Sequence, residues 1–175
     1  MMTRHADGLR LVLECDSETA AIWTWNANGL ANKIDWLLEA ILAVENTPEA
    51  ILITETHHVN DKRIPELFGY QGVHSGSSTR SAGVAIYVRA RRHYTRIELT
   101  HAADRMIAVL QDEIVYIAVY APVNSSEIEM REQFFTNLAA NIEHVRSLGH
   151  RKIIMGGDIN AHIGEEVNSN GRLFY

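Results

Sequence analysis

The sequence is poor in the residues that mark secreted, membrane-spanning or linker-rich proteins. Its single cysteine, Cys15, cannot form an internal disulfide, and only three prolines and 11 glycines occur among 175 residues. No apolar run of signal-peptide type begins the chain, and Glu39 interrupts the apolar pattern from Leu37 to Val44. The sequence therefore predicts an intracellular protein that does not span a membrane.

Basic residues are also in short supply. The 16 lysines and arginines are outnumbered by 22 acidic residues, which gives a formal net charge of -6 and excludes a uniformly basic surface for nucleic acid. One local patch exists, because Arg89, Arg91, Arg92 and Arg96 follow the strand-like run 83–88. It is either a solvated strand end or a set of phosphate contacts, and the second interpretation requires that the patch border the functional site.

Hydrophobic residues make up 46% of the sequence, enough for a sizeable core, and the length favours one domain. We assign residues 20–175 to this domain. Residues 1–19 are open to two interpretations, because charged residues surround the apolar run Leu9 to Leu13. They form either an edge strand or an N-terminal extension.

Apolar periodicity predicts alternating strands and helices. Helical spacing places one amphipathic helix over 34–42, and a second from a capping box formed by Ser126 and Glu129 to Gly149. Between the helices, short alternating runs from Gly69 to about Gln111 predict consecutive antiparallel strands.

Four apolar, strand-like runs end in polar residues with metal-binding or phosphate-binding chemistry. The runs are Ala20 to Asn28, Ile51 to His57, Val115 to Pro122 and Ile153 to His162. If the strands lie in packed sheets with their ends on one rim, six side chains converge: Asn26, Asn28, Glu55, Tyr120, Asp158 and Asn160. Such oxygen ligands without sulfur suit a hard divalent cation and a phosphate ester.

Each motif alone has an ordinary structural explanation. Glu55 could cap a turn, Tyr120 could be a core tyrosine, and Gly-Asp-x-Asn over 157–160 could be a turn. Three histidines, His57, His58 and His162, raise the question of zinc. No cysteine lies near them and none form a helical pair, so we expect no zinc site.

Together, the four segments resemble the endonuclease/exonuclease/phosphatase superfamily, which includes apurinic/apyrimidinic endonucleases, deoxyribonuclease I and inositol phosphatases. The segments are Trp25-Asn26-Ala27-Asn28-Gly29-Leu30, Thr54-Glu55-Thr56-His57, Tyr120-Ala121-Pro122 and Gly157-Asp158-Ile159-Asn160-Ala161-His162. Four motifs in this order, each in a strand context, are specific where one would be weak. The sequences of these segments are most similar to the endonuclease domain of non-long-terminal-repeat retrotransposons.

The resemblance implies a fold, an activity and residue roles. The fold would be a four-layered α/β sandwich of the deoxyribonuclease I-like type, and the activity would be metal-dependent hydrolysis of DNA. Glu55 would bind Mg²⁺ or Mn²⁺, with Asn28 at a metal position that is often aspartate in repair enzymes. The catalytic set would be Asn26, Tyr120, Asp158 and Asn160. The basic patch, which the resemblance does not cover, gives Arg89, Arg91 and Arg92 as the expected nucleic-acid-binding residues.

Within that set the implied roles differ. Asp158 would orient or deprotonate the attacking water, and Tyr120 would donate to a phosphate oxygen or the leaving group. Asn26 would support the metal site, and Asn160 would hold the phosphate or the nucleophile. The implied partner is DNA, with no membrane. A full-length element would add a reverse transcriptase domain and would place the protein in the nucleus.

One departure from the family's pattern concerns a histidine. The superfamily completes its site with an Asp-His pair in a later strand, and this chain contains no Asp-His dipeptide. We therefore expect a domain incomplete at its C-terminal side, with impaired hydrolysis and poor solubility. Two alternatives remain: a phosphatase acting on an inositol or nucleotide phosphate, and a non-catalytic retroelement remnant.

Overall fold

The computed structural model describes residues 10–15, 18–58, 63–75, 82–101, 104–123 and 125–160, and within them two β-sheets stack face to face between two helices. The predicted four-layered α/β sandwich is therefore confirmed. The elements are, in chain order, β1 (Arg10–Cys15), β2 (Glu18–Asn26), α1 (Ile34–Leu42), β3 (Ala50–Thr54), β4 (Tyr70–His74), β5 (Val84–Arg89), β6 (Tyr94–Ile97), β7 (Met106–Gln111), β8 (Ile114–Tyr120), α2 (Ile128–Ser147) and β9 (Lys152–Asp158).

The two sheets have different sizes but a common plan. One contains five strands in the order β1-β2-β3-β5-β4, and the other contains four in the order β6-β7-β8-β9. In each sheet one neighbouring pair is parallel, β2 with β3 and β8 with β9, and the remaining pairs are antiparallel. Because both parallel pairs run to the same rim, their carboxyl ends meet there.

The strand residues alternate between two apolar layers, as a period of two requires. In β5, Val84, Ile86 and Val88 pack into the core between the sheets, whereas Ala85 and Tyr87 pack toward α1. In β8, the residues on one face join the same central core and those on the other pack against α2. A strand buried on both faces has the continuous apolar run seen in the sequence.

Two predictions of local structure were wrong. First, consecutive antiparallel pairing over 69–111 fails at one connection: β4 pairs with β5 and β6 with β7, but β5 has β3 as its other neighbour, so the chain crosses to the other sheet before β6. The local pattern does not distinguish a hairpin from a crossing. Second, α2 begins at Ile128 after Glu127, and no side chain caps it, so Ser126 and Glu129 form no capping box.

Part of the chain lies outside the described residues, including His162 and the remainder of 161–175. Strand β1 pairs antiparallel with β2 at the edge of the larger sheet. Of the helices in the described ranges, neither combines the length and apolar character that crossing a membrane demands.

Alkaline pH should unfold this protein through its buried tyrosines. Burial raises the pKa of Tyr70 and of Tyr116 to about 12, and that of Tyr87 further. Because these folded-state pKa values exceed the ordinary value, their contribution to stability is complete below pH 10 and is lost as the pH rises toward 12. Between these values we expect the free energy of unfolding to fall by about 1.4 kcal/mol per pH unit for each such tyrosine.

Urea unfolding between pH 8 and pH 11.5 measures this dependence. Tyr87→Phe is the control, because it removes one phenol from a fully buried position while keeping the ring. The variant should be less stable below pH 10, since Tyr87 donates a hydrogen bond of 2.6 Å to the Pro65 carbonyl. Its decline above pH 10 should be shallower than that of the wild type, and equal declines would contradict the explanation.

Candidate active site

The polar residues that follow the apolar runs lie on one rim of the sandwich. Asn26 ends β2, Glu55 follows β3 directly, and Tyr120 and Asp158 end β8 and β9. The first two belong to the larger sheet and the last two to the smaller one. They meet because the sheets are stacked face to face and both parallel pairs end on this side.

Asn26 joins the two sheets through a single amide group. Its Nδ2 donates to Glu55 Oε1 at 2.8 Å and to Asp158 Oδ2 at 3.2 Å. Its Oδ1 accepts the backbone N–H of Asn28 at 3.1 Å, which fixes the orientation of the amide. Two carboxyl groups separated by 103 positions in sequence are thus held on either side of one nitrogen.

Backbone strain is concentrated at this rim. Five non-glycine residues in the described ranges have positive φ, and four of them lie here: Asn28, Glu55, His57 and Asn160. The fifth, Asp112, is in the two-residue β7–β8 connection, where a tight turn favours this conformation. Left-handed backbone at a glutamate and a histidine has a conformational cost, and such strain clusters at functional sites.

Tyr120 lies between an acidic and a basic neighbour. Burial raises the pKa of its phenol, as do the charge of Glu55 and a hydrogen bond to that carboxylate, while Arg105 opposes the shift. The Arg105 guanidinium lies over the Tyr120 ring, 5.3 Å from its centroid, and donates to the Tyr120 carbonyl at 3.4 Å. The phenol therefore remains a neutral hydrogen-bond donor at ordinary pH.

The segment after β9 is shaped by hydrogen bonds between backbone and side chains. Asp158 Oδ1 accepts the N–H of Asn160 at 3.0 Å, and the Asp158 carbonyl accepts the N–H of Ala121 at 2.8 Å. The side chain of Asn160 donates to the Ala121 carbonyl, also at 2.8 Å. Asp158 and Asn160 are consequently fixed against the end of β8, next to Tyr120.

Six of the site residues expected from the sequence lie on this rim. The structure brings Asn26, Glu55, Tyr120, Asp158 and Asn160 together, and their catalytic roles stay predictions. Asn28 also lies on the rim, with an exposed side chain and a backbone held by Asn26. Its role as a metal ligand likewise stays a prediction.

The arginine patch lies away from this site. Arg89 ends β5, and because β5 is antiparallel to β3, it lies beside the beginning of β3, at the opposite rim from Glu55. Arg91 donates to Glu49 at 2.6 Å, and Arg92 is paired with Asp112. The patch does not border the site. Phosphate contacts by these arginines required that it did, so the structure favours a solvated strand end.

Two rim residues with functional potential were not expected from the sequence. Arg105 immediately precedes β7, and Lys33 immediately precedes α1, where neither forms part of a recognisable motif. Of the histidines, His57 has its Nε2 3.8 Å from Glu55 Oε2, whereas His58 is buried between the Thr56 and Arg63 carbonyls.

The donor atoms on the rim fit a hard divalent cation. Within the described part of the chain, no group of three or more His, Cys, Asp or Glu side chains is placed to hold a metal ion by itself. The available set is two carboxyl groups, those of Glu55 and Asp158, with amide oxygens near them. Mg²⁺ is commonly bound through one or two carboxylates and completes its coordination with water and phosphate oxygens, so this set suits it.

Comparison with protein families gives one assignment. The sequence profile of the Endonuclease/Exonuclease/phosphatase family matches residues 23–172, which include all the rim residues described above. No curated protein sequence matches the chain significantly.

Several solved structures share the fold. The 3′ phosphatase NExo from Neisseria, bound to product DNA hairpin, is 26% identical with a TM-score of 0.65, over 82% of this chain and 59% of that one. An AP endonuclease from Archaeoglobus fulgidus is 24% identical with a TM-score of 0.68, over 82% and 58%. The APE2 catalytic domain from Xenopus laevis is 16% identical with a TM-score of 0.65, over 87% and 65%. The chain thus spans less than two thirds of each.

Proposed function

The chain belongs to the Endonuclease/Exonuclease/phosphatase family, and from this premise we propose that it is a divalent-metal-dependent phosphodiesterase that cleaves DNA as an endonuclease. The observation that carries the proposal is the Asn26 amide between the carboxyl groups of Glu55 and Asp158. If Glu55 only capped a turn, no second carboxyl group would be needed beside it. Here the Asn26 amide brings together two carboxyl groups from different sheets.

The electrostatics of the rim support a bound cation. A phosphodiester carries a negative charge and would approach two carboxylates, and the repulsion between like charges at a few Å is substantial in a partly buried site. Glu55 and Asn28 would hold Mg²⁺ or Mn²⁺, which supplies charge neutralisation and polarises the phosphate. Arg105 adds one fixed positive charge beside Tyr120.

The residues of the chain divide the remaining work. Asp158, fixed by Asn26 and by the N–H of Asn160, presents a carboxylate that can accept a proton from water. Tyr120 stays protonated and can donate to a phosphate oxygen or to the leaving oxygen. Asn160 fixes the segment against β8, so that these two groups keep their separation during the reaction.

The finer assignment is to a retrotransposon endonuclease. It is supported by the amino-acid sequences of three segments: Trp25 to Leu30, Thr54 to His57 and Gly157 to His162. Under this assignment the substrate is target DNA, a reverse transcriptase domain belongs to the full-length element, and the protein acts in the nucleus.

A second candidate function is hydrolysis of a terminal phosphate monoester. It is favoured by the likeness to the Neisseria 3′ phosphatase, whose structure contains product DNA hairpin. The same rim would serve both reactions, because each requires a cation for the phosphate and a base for the attacking water.

The test compares three substrates with the purified chain: supercoiled plasmid, a DNA hairpin with a 3′ phosphate, and an inositol phosphate. Each is incubated with Mg²⁺, with Mn²⁺ and with EDTA. Metal-dependent nicking of the plasmid is the expected result. Release of phosphate from the hairpin without nicking would favour the second candidate, and DNA binding without hydrolysis of any substrate would favour a non-catalytic remnant.

A further inference from the structure

Lys33 makes contacts that its place in the fold does not explain. Its ammonium donates to two successive backbone carbonyls, those of Ala27 and Asn28, the latter at 3.0 Å. Both belong to the turn that carries Asn26 to the rim. Within the described ranges no carboxylate forms an ion pair with this lysine, so its charge is balanced by backbone dipoles.

The turn is held on its other side by the segment that carries Glu55. The N–H groups of Ala27, Gly29 and Leu30 donate to the carbonyls of three successive residues, Thr54, Glu55 and Thr56, at 2.9, 2.8 and 3.1 Å. The N–H groups of the turn are thus bound to the end of β3, and two of its carbonyls to Lys33. Asn28 and Gly29, with φ of 42° and 91°, give the chain the sharp bend that this requires.

A role in helix stability does not account for Lys33. It occupies the N-cap of α1 and makes no capping hydrogen bond with its side chain. A positive charge at this end of a helix opposes the helix dipole, so the position disfavours lysine. The contacts that offset this cost are those to the turn.

We propose that Lys33 is a positioning residue for the reaction: its ammonium clamps the turn 26–29, so that the Asn26 amide stays between Glu55 and Asp158. Without the ammonium, the Ala27 and Asn28 carbonyls form a receptor for a primary ammonium ion. The catalytic part of this inference rests on the proposed function, whereas the clamp itself does not.

The test uses chemical rescue of Lys33→Ala in the full chain. The substitution removes three side-chain carbons and the ammonium group, which together have the size of propylammonium. Added n-propylammonium should therefore bind in the space and restore the clamp. Tetramethylammonium at the same concentration is the control, because it carries the same charge but has no N–H donor. Lys152→Met is the control variant, because it removes a lysine at the opposite rim, where Lys152 pairs with Glu113.

Hydrogen exchange of the Gly29 amide is the first measurement, because this amide donates to Glu55 and its protection reports the turn without any catalysis. Loss of two hydrogen bonds from a charged donor should accelerate its exchange by about tenfold or more in Lys33→Ala, and n-propylammonium should reverse this change. If the alanine variant does not fold, Lys33→Met replaces it for the exchange measurement: it lacks the N–H donors, and it should not respond to n-propylammonium because its side chain fills the space.

The rate of plasmid nicking is the second measurement. Lys33→Ala should lower kcat by about tenfold with little change in KM, with recovery in n-propylammonium and none in tetramethylammonium. Unchanged Gly29 exchange in Lys33→Ala and Lys33→Met would overturn the proposal. Equal responses of Lys33→Ala to the two ammonium ions would overturn it too. If the wild type cleaves no DNA, the proposed function fails, and the exchange measurement still decides the role of Lys33.

Discussion

Replacing Asp158 by asparagine should lower the rate of DNA hydrolysis by about 10²- to 10⁴-fold, the usual contribution of a positioned acid or base. The substitution keeps the shape of the side chain but removes the group that accepts a proton. It also directs an amide toward either the Asn160 N–H or the Asn26 amide, both of which already donate to Asp158. Single-turnover nicking of plasmid DNA measures the loss.

Asp112→Asn is the matched control. Asp112 has the same chemistry, lies in the β7–β8 turn at the opposite rim, and pairs with Arg92. Its positive φ of 55° is tolerated by asparagine. We expect this variant to cleave at the wild-type rate, and a comparable loss in both variants would remove Asp158 from the reaction.

Replacing Gly157 by alanine should destabilise the fold by roughly 3 kcal/mol or more. Gly157 has a φ of 136°, and a Cβ there would lie 2.0 Å from the Val119 carbonyl oxygen. That oxygen belongs to the backbone of β8, which is paired with β9, so it cannot move without breaking the sheet. Because Asp158 follows immediately, its position in the site should also be lost.

Gly149→Ala separates the steric clash with Val119 from the strain of a left-handed backbone. Gly149 also has positive φ, at 93°, but among the described residues, its two chain neighbours aside, no atom lies within 4 Å of the position that its Cβ would take. It should therefore cost only about 1 kcal/mol, the strain of a left-handed alanine. Urea unfolding of both variants measures the difference, and equal losses would show that the contact with Val119 is relieved.

The rim could be predicted from the sequence because strand length and strand polarity are local properties. Each apolar run ends at its polar residue, and the ends of parallel neighbours share an edge. Asn26 and Glu55 lie at the ends of β2 and β3, which are a parallel pair. The meeting of both with Asp158 also depends on the stacking of two sheets, which the resemblance supplied and the strand patterns alone did not.

Other features depend on contacts that no local pattern records. Arg89 follows an apolar strand just as Glu55 does, but β5 is antiparallel to β3, and the polarity of the pair sends Arg89 to the opposite rim. Lys33 and Arg105 act through backbone carbonyls and an aromatic ring, and a sequence contains no signal for either kind of partner. Ser126 and Glu129 had the spacing of a capping box, whereas the helix begins after Glu127.

In the proposed function, Glu55 and its neighbours on the rim bind a divalent cation. Calorimetric titration of Mg²⁺ and Mn²⁺ into the wild type, Glu55→Gln and Glu49→Gln measures this binding. Glu49 is the control, because it pairs with Arg91 at the opposite rim. We predict weak binding by the wild type and by Glu49→Gln, and an affinity at least about tenfold lower in Glu55→Gln, which lacks one carboxylate ligand. Equal affinities in the wild type and Glu55→Gln would show that Glu55 is not a metal ligand.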